Sequence, residues 1–308
     1  MNIVFAGNGK RSIACLDAIK NKHNIIAVIG HESLENELIS KAKELGLATF
    51  QPANINNLNF VKKIKELNAD LCVLAGYGQI VKNDFLSTTK YGSINLHAGK
   101  LPDYRGSSPM NWALINGEDK FTISIIKVDQ GVDTGPVLAE KTFSITNNNT
   151  ILDLHKIANT HFPKILLKVL DDFLENKPKE IYQNESVSSY YPLRFPEDGF
   201  VFFDQFSAAE IHNRIRALTD PYPGVLCYYK NNKVKILSSQ LTQRPFYGEP
   251  GRIYRISKKG LLVCAKDKCL WLTKITNAEK GKVRKIDFKR YEKFATLKQM
   301  ALENYENQ

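Results

Sequence analysis

With 308 residues, 43% hydrophobic and 24% charged, the chain has the composition of a soluble globular protein of one large or two smaller domains. No apolar run approaches the roughly 20 residues of a membrane span, and the N-terminus Met-Asn-Ile-Val-Phe-Ala-Gly lacks the basic start of a signal peptide. The net charge of +11 is unevenly placed: residues 1–199 hold 22 basic and 22 acidic side chains, residues 200–308 hold 21 and 10. A basic C-terminal region suits nucleic acid, the phosphates of a nucleotide, or a solvated Lys-rich surface. The five cysteines are odd in number and irregular in spacing, so they read as free thiols in a reducing cytoplasm.

A strand is predicted over 3–6, ending in Gly7, Asn8 and Gly9. A helix with Ile13, Leu16 and Ile19 on one face follows, with Ser12 as its N-cap. Because position 12 is Ser, the full Gly-x-Gly-x-x-Gly pattern is absent and no dinucleotide is inferred. Next come a strand over 25–29, a helix over 34–45 ended by Gly46, an extended segment at 48–51, a helix over 60–67 and a buried strand over 71–75. This alternation predicts a mostly parallel sheet with helices on both faces, whose ligands sit outside the carboxyl ends of the strands. The loop 76–81 follows a strand directly and is a candidate wall for a flat ring. Trp112 and Leu114 read as helix packing, and 121–128 as a strand. Residues 150–174 carry an apolar stripe of a long helix. His155 and His161 lie six apart on it, too far round to meet, and are assigned structural roles. Residues 176–199 change character and read as a linker crossing the surface. Short strands over 225–229, 233–237, 252–256, 260–265 and 269–275 suggest a small barrel. The tail 280–308 reads as a basic, then acidic, amphipathic helix.

The chemistry concentrates in 93–138. Asn95 and His97 are two apart, so on a strand they share a face, and a Gly- and Pro-rich loop follows at once. Asp133 lies in a second Gly-flanked loop. Taken singly, His97 is a hydrogen-bonded core histidine and Asp133 a turn former. Together they offer an amide donor, a proton-carrying imidazole and a carboxylate, which suits acyl transfer to an amine without a covalent protein intermediate. Arg105 can meet a phosphate or carboxylate with two parallel hydrogen bonds. No set of His, Cys or carboxylates has metal-ligand spacing, so no metal is expected.

Asn95-x-His97, then Leu101-Pro102-x-Tyr104-Arg105-Gly106, then Asp129-x-Gly131-x-Asp133-Thr134-Gly135, resembles the formyltransferase family that uses 10-formyltetrahydrofolate. The resemblance implies a catalytic trio of Asn95, His97 and Asp133. It places the folate co-substrate on Gln79, Ile80, Val81, Asp129, Gln130, Gly131 and Val132. It also implies a Rossmann-like α/β catalytic domain over 1–183, a linker over 184–203 and a C-terminal OB-like β-barrel domain with a terminal helix over 204–308. A cytoplasmic enzyme follows; the oligomeric state is left open.

Two further stretches narrow the resemblance. Arg194-Phe195-Pro196-Glu197-Asp198-Gly199 and Ile215-Arg216-Ala217-Leu218-Thr219-Asp220-Pro221-Tyr222-Pro223-Gly224 are similar to the formyltransferase domain of the bifunctional enzyme acting on UDP-4-amino-4-deoxy-L-arabinose. That enzyme's dehydrogenase half has no counterpart in these 308 residues. Family members acting on methionyl-tRNA carry a basic insertion after the second strand, whereas 30–38 is short and acidic here and would repel phosphates. The expected acceptor is therefore the amine of an amino-sugar nucleotide, in a setting such as lipopolysaccharide biosynthesis, with Tyr104, Arg105 and Asn111 on the substrate. The alternative is methionyl-tRNA.

Overall fold

The computed structural model describes residues 1–32, 36–230, 232–278 and 286–300. The chain forms two compact units. The first comprises Met1–Pro109, Lys120–Ser144 and His155–Pro192; the second comprises Met110–Asp119, Ile145–Leu154 and Leu193–Gln308. Among the described residues no helix is long and apolar enough to cross a membrane.

In the first unit β1 (Asn2–Gly7), α1 (Gly9–Ile19), β2 (Asn24–Ile29), α2 (Glu37–Glu44), β3 (Thr49–Phe50), α3 (Leu58–Glu66) and β4 (Leu71–Ala75) alternate as the sequence predicts. Along the chain follow α4 (Asn83–Leu86), β5 (Ser93–His97), β6 (Arg105–Gly106), α5 (Pro109–Ile115), β7 (Lys120–Lys127), β8 (Val137–Ser144) and α6 (Ile151–Leu174), of which α5 beyond Pro109 and the first turn of α6 belong to the second unit. Seven strands form one sheet in the order β3-β2-β1-β4-β5-β7-β8. The first five run parallel; β7 and β8 are antiparallel. Central strands such as β1 and β4 are unbroken apolar runs because helices cover both faces, and Val4, Phe5, Cys72 and Val73 have no exposure.

Helix starts differ from the periodicity reading because asparagine caps set them. Asn36 Oδ1 accepts from the amides of Leu38 and Ile39, so α2 opens after it; Asn57 does the same for α3. Ser12 is not a cap. It lies inside α1, where its hydroxyl donates to the Gly9 carbonyl at 2.7 Å, and Asn8 takes the cap position in extended backbone. Strand β8 was not foreseen, since it is a sheet edge with half of its side chains exposed.

The predicted linker 184–203 holds regular elements. A 3-10 turn spans Glu185–Val187, a second spans Pro196–Gly199, and β9 (Tyr190–Tyr191) pairs in parallel with β6.

In the second unit α7 (Ala208–Leu218) precedes five antiparallel strands: β10 (Val225–Tyr229), β11 (Asn232–Leu241), β12 (Ile253–Ser257), β13 (Gly260–Cys264) and β14 (Cys269–Asn277). Their order is β10-β11-β14-β13-β12. The tail bridges the two edges. Ala295 N donates to the Tyr228 carbonyl at 2.8 Å, while Tyr291 N donates to the Ile253 carbonyl and Ile253 N to that of Glu292. The predicted tail helix is thus corrected for 286–296, which runs without helix along the sheet. Residues 297–300 are helical, as expected, and 280–285 and 301–308 lie outside the described residues. The physical reason is Phe294, fully buried against Phe203, Tyr229 and Phe288: one aromatic anchor and edge hydrogen bonds outweigh helical periodicity.

Candidate active site

Asn95 and His97 project from one face of β5, held between β4 (Leu74 opposite Asn95) and β7 (Ser124 opposite His97). Asp133 comes from the loop joining β7 to β8 and has the left-handed backbone value φ +54°. The loop needs glycine on both sides. A Cβ on Gly135 would stand 1.8 Å from the Lys127 carbonyl oxygen, and one on Gly131 would stand 2.1 Å from Thr134 Oγ1. Asp129 braces the same loop by accepting from Gly131 N and the Thr134 hydroxyl.

These pieces converge on the Asp133 carboxylate. His97 Nδ1 is 3.3 Å from Oδ2, the Gly106 amide donates to Oδ2 at 2.9 Å, and Asn95 Nδ2 donates to Oδ1 at 3.3 Å. His97 is buried, and its Nε2 lies 2.6 Å from the Tyr104 carbonyl. A carbonyl can only accept, so Nε2 carries a hydrogen. The imidazole thus has a donor on one side and a carboxylate on the other.

A network behind Asp133 was missed by sequence reasoning. Gln183 Nε2 donates to the carbonyls of Asp133 (2.8 Å) and Gly135 (2.6 Å). Its Oε1 accepts from Arg105 Nε and a terminal guanidinium nitrogen, and the remaining Arg105 donors go to both Glu185 oxygens and the Tyr190 hydroxyl. Arg105 has no exposure. Its hydrogen bonds to Glu185 push its pKa up and hold the Glu185 carboxyl below the usual range.

The expected substrate contact of Arg105 is therefore corrected: its five donors are spent inside the protein. Tyr104 is also buried, its ring stacked 4.8 Å from that of Tyr191. Asn111 is buried on α5, where Nδ2 donates to the Ala217 carbonyl at 2.8 Å. The sequence does not disclose these partners because they lie far along the chain, 78 to 106 residues away for Gln183, Glu185, Tyr190 and Ala217.

The two loops assigned to the folate present a mixed picture. The Gln79 side chain is consumed locally, accepting from Ile55 N and donating to the Ala53 carbonyl. Val81 belongs to the core. The Ile80 carbonyl accepts from Asn56, leaving its side chain 66% exposed, and Val132 is 42% exposed. These are two bare aliphatic faces on the loops expected to meet a ring. Gln130 and Gly131 are exposed. His31, not foreseen, fixes the first loop: its ring stacks on Tyr77 at 4.6 Å, and Nε2 accepts from Gly78 N at 2.9 Å.

An amide, an imidazole and a carboxylate gathered at one strand of a mostly parallel α/β sheet are groups that can move a proton and stabilise an oxyanion, as group transfer to an amine requires. Residues 1–170 match the formyl transferase family and residues 195–291 match its C-terminal domain, so the chain belongs to the formyl transferases, whose reaction draws the formyl group from 10-formyltetrahydrofolate. It is 33% identical over 320 aligned positions to the bifunctional polymyxin resistance protein ArnA of Wigglesworthia glossinidia brevipalpis, covering 97% of this chain and spanning only 48% of that protein. It is 31% identical to methionyl-tRNA formyltransferase of Clostridium beijerinckii, over 89% of this chain and 92% of that protein. In fold it resembles an N-formyltransferase of Helicobacter canadensis, solved with folinic acid and dTDP-3-aminofucose. That likeness has a TM-score of 0.70 at 21% identity, over 88% of this chain and 98% of the other.

Proposed function

We propose that the acceptor is the amine of an amino-sugar nucleotide of the UDP-4-amino-4-deoxy-L-arabinose kind. The observation that carries this reading is the connection between β2 and α2. Only residues 30–36 separate the two elements, and they include Glu32 and Glu35 and neither Lys nor Arg. A tRNA acceptor arm at this place needs cations, because its phosphates dominate affinity. The similarity to the ArnA protein and the fold of the aminofucose enzyme support the same reading.

In the mechanism we propose, the neutral sugar amine attacks the formyl carbon. The carbonyl electrons move to the oxygen, where the Nε2–H of His97 turns from the Tyr104 carbonyl to meet the oxyanion. Asn95 has a second amide N–H beyond the one given to Asp133 and aims it at the same oxygen. Asp133, held in place by Gly106 N and Gln183, takes the amine's proton directly or through water. The oxyanion then re-forms the carbonyl as the carbon–N10 bond breaks, and N10 of tetrahydrofolate takes the proton that Asp133 received. Ile80 and Val132 press on the pterin, with the backbone of 129–132 along its edge.

The second reading, methionyl-tRNA as acceptor, draws on the C-terminal charge excess and the clostridial relative. Incubating the protein with 10-formyltetrahydrofolate and either a panel of amino-sugar nucleotides or charged initiator tRNA separates the two. A formyl-mass gain on a sugar nucleotide is expected, and formylation of methionyl-tRNA alone would replace our reading with the second.

A further inference from the structure

The second unit contains a buried cation that formyl transfer does not use. Arg216, on α7, is 5% exposed. Its Nε donates to Asn213 Oδ1 at 3.0 Å, and one terminal nitrogen donates to the carbonyls of Thr146 (3.1 Å) and Asn149 (3.3 Å). Those bonds leave the two N–H groups of the other terminal nitrogen. Among the described residues no carboxylate pairs with Arg216, and burial pushes its pKa down. A charge taken out of water without a counter-ion is expensive unless something compensates it.

Arg216 lines a half-open cavity of about 270 Å³ whose wall also carries His212, Ser238, Ser239 and Thr273. The hydrogen-bond directions can be followed. His212 Nε2 lies 2.9 Å from the Asn147 carbonyl, so it carries the hydrogen. Nδ1 therefore accepts from the Ser239 hydroxyl at 2.8 Å, provided the imidazole is neutral, the form burial favours. The Thr273 hydroxyl donates to Ser238 Oγ at 2.8 Å, which leaves the Ser238 hydrogen for another acceptor. The wall thus presents a cation and a spare hydroxyl donor, and the space suits a ligand at the small end of the usual range.

We propose that this cavity binds a small phosphate-class oxyanion, free or as the phosphate of a small metabolite, held by the outer terminal nitrogen of Arg216 and by the Ser238 hydroxyl. The remaining terminal nitrogen meets such an anion with a charge-assisted bond, and the anion supplies the counter-charge Arg216 lacks. The proposal is independent of the identity of the formyl acceptor.

The test uses the full chain with its histidine rings labelled with nitrogen-15, the His212 signal being assigned by its loss in His212→Gln. Inorganic phosphate and ribose 5-phosphate are titrated at constant ionic strength against potassium chloride. Saturable movement of the His212 signal with phosphate, and not with chloride, is expected. Tighter binding of ribose 5-phosphate points to a metabolite, and equal binding to free phosphate. Arg216→Lys and Ser238→Asp should each weaken binding by about tenfold or more with the circular dichroism unchanged. Should Arg216→Lys fail to fold, Ser238→Asp, which keeps the guanidinium and adds a repelling carboxylate, decides alone. No phosphate-dependent movement of His212, movement equal to that with chloride, or unchanged affinity in Ser238→Asp would each overturn the proposal and leave Arg216 as a clamp on the 146–149 loop.

Discussion

A fully buried guanidinium is tolerated only where its donors all find acceptors, and Arg105 meets that condition through residues that also hold Asp133. On this geometry we expect Arg105 and Gln183 to act as positioning residues rather than phosphate ligands, and the two roles differ kinetically. Loss of a phosphate contact made equally in ground and transition states raises KM; loss of loop geometry lowers kcat. Arg105→Lys and Gln183→Leu are expected to lower kcat by at least about tenfold with little change in acceptor KM, and to lower the melting midpoint by roughly 5 °C or more. Steady-state kinetics and a thermal melt check both; a rise confined to acceptor KM would return Arg105 to the phosphate. His97→Ala, Asn95→Ala and Asp133→Ala should each keep the fold and lose about 100- to 1,000-fold in kcat, the range for removing one preorganised group. Near-normal turnover in His97→Ala would remove that residue from the mechanism. The trio was legible in the sequence because two of its members share a strand face and the third sits between obligatory glycines. The network behind it was not, because Gln183 and Glu185 lie about 80 residues from Arg105 in a stretch with no periodic signal.

At the scale of elements, what the sequence disclosed follows the strength of the local signal. Strands β4 and β10 match their predicted limits since each is a short apolar run bounded by polar or turn residues. The edge strand β8 escaped because half of its side chains are exposed, and the 291–295 segment because its placement depends on hydrogen bonds to distant edges. Glycine at 106 is required twice. Its φ is +94°, and a Cβ there would stand 2.4 Å from the Tyr191 carbonyl oxygen. Gly106→Ala should therefore part β6 from β9, shift the amide that holds Asp133 and cost both stability and turnover, read by a denaturant melt and kcat together. Helix α6 carries a pH signature. Burial, reinforced by the Arg11 charge, pushes the His155 pKa down to about 4 from 6.5. The folded state therefore favours the neutral ring, and the unfolded chain takes up the proton first on acidification. The associated stability is complete above pH 6.5 and is lost as pH falls from 6.5 to about 4. His155→Gln should lose less stability than the parent between pH 7 and 4.5, by roughly 1 kcal/mol after allowing for solvent screening. Urea melts at the two pH values measure it, and an identical loss in both proteins would show that the ring is not held neutral.

At the scale of the whole molecule the decisive quantity is where charge meets the acceptor. Residues 1–199 are electrically balanced and residues 200–308 carry the entire excess of +11. Part of that excess, including Lys280, Lys282 and Lys285, lies outside the described residues. A sugar nucleotide presents one or two phosphates, so few counterions leave when it binds. A tRNA presents a phosphate at every nucleotide, and each one neutralised adds about 0.7 to 0.9 to the slope of log affinity against log salt. We expect acceptor binding to weaken with a slope no steeper than about two. We also expect the triple reversal Lys280→Glu, Lys282→Glu and Lys285→Glu to leave formyl transfer to the sugar nucleotide almost unchanged. The reason is local: the β2–α2 connection carries glutamates and neither Lys nor Arg in this chain. Diffuse basic charge elsewhere cannot substitute for cations there, because interactions beyond about 8 Å are screened at physiological salt. The measurement is product formation from each acceptor between low and moderate salt, in the parent and the triple variant. A steep slope, combined with loss of methionyl-tRNA formylation in the triple variant and silence toward every amino-sugar nucleotide, would move the acceptor assignment to tRNA while leaving Asn95, His97 and Asp133 at the centre of the chemistry.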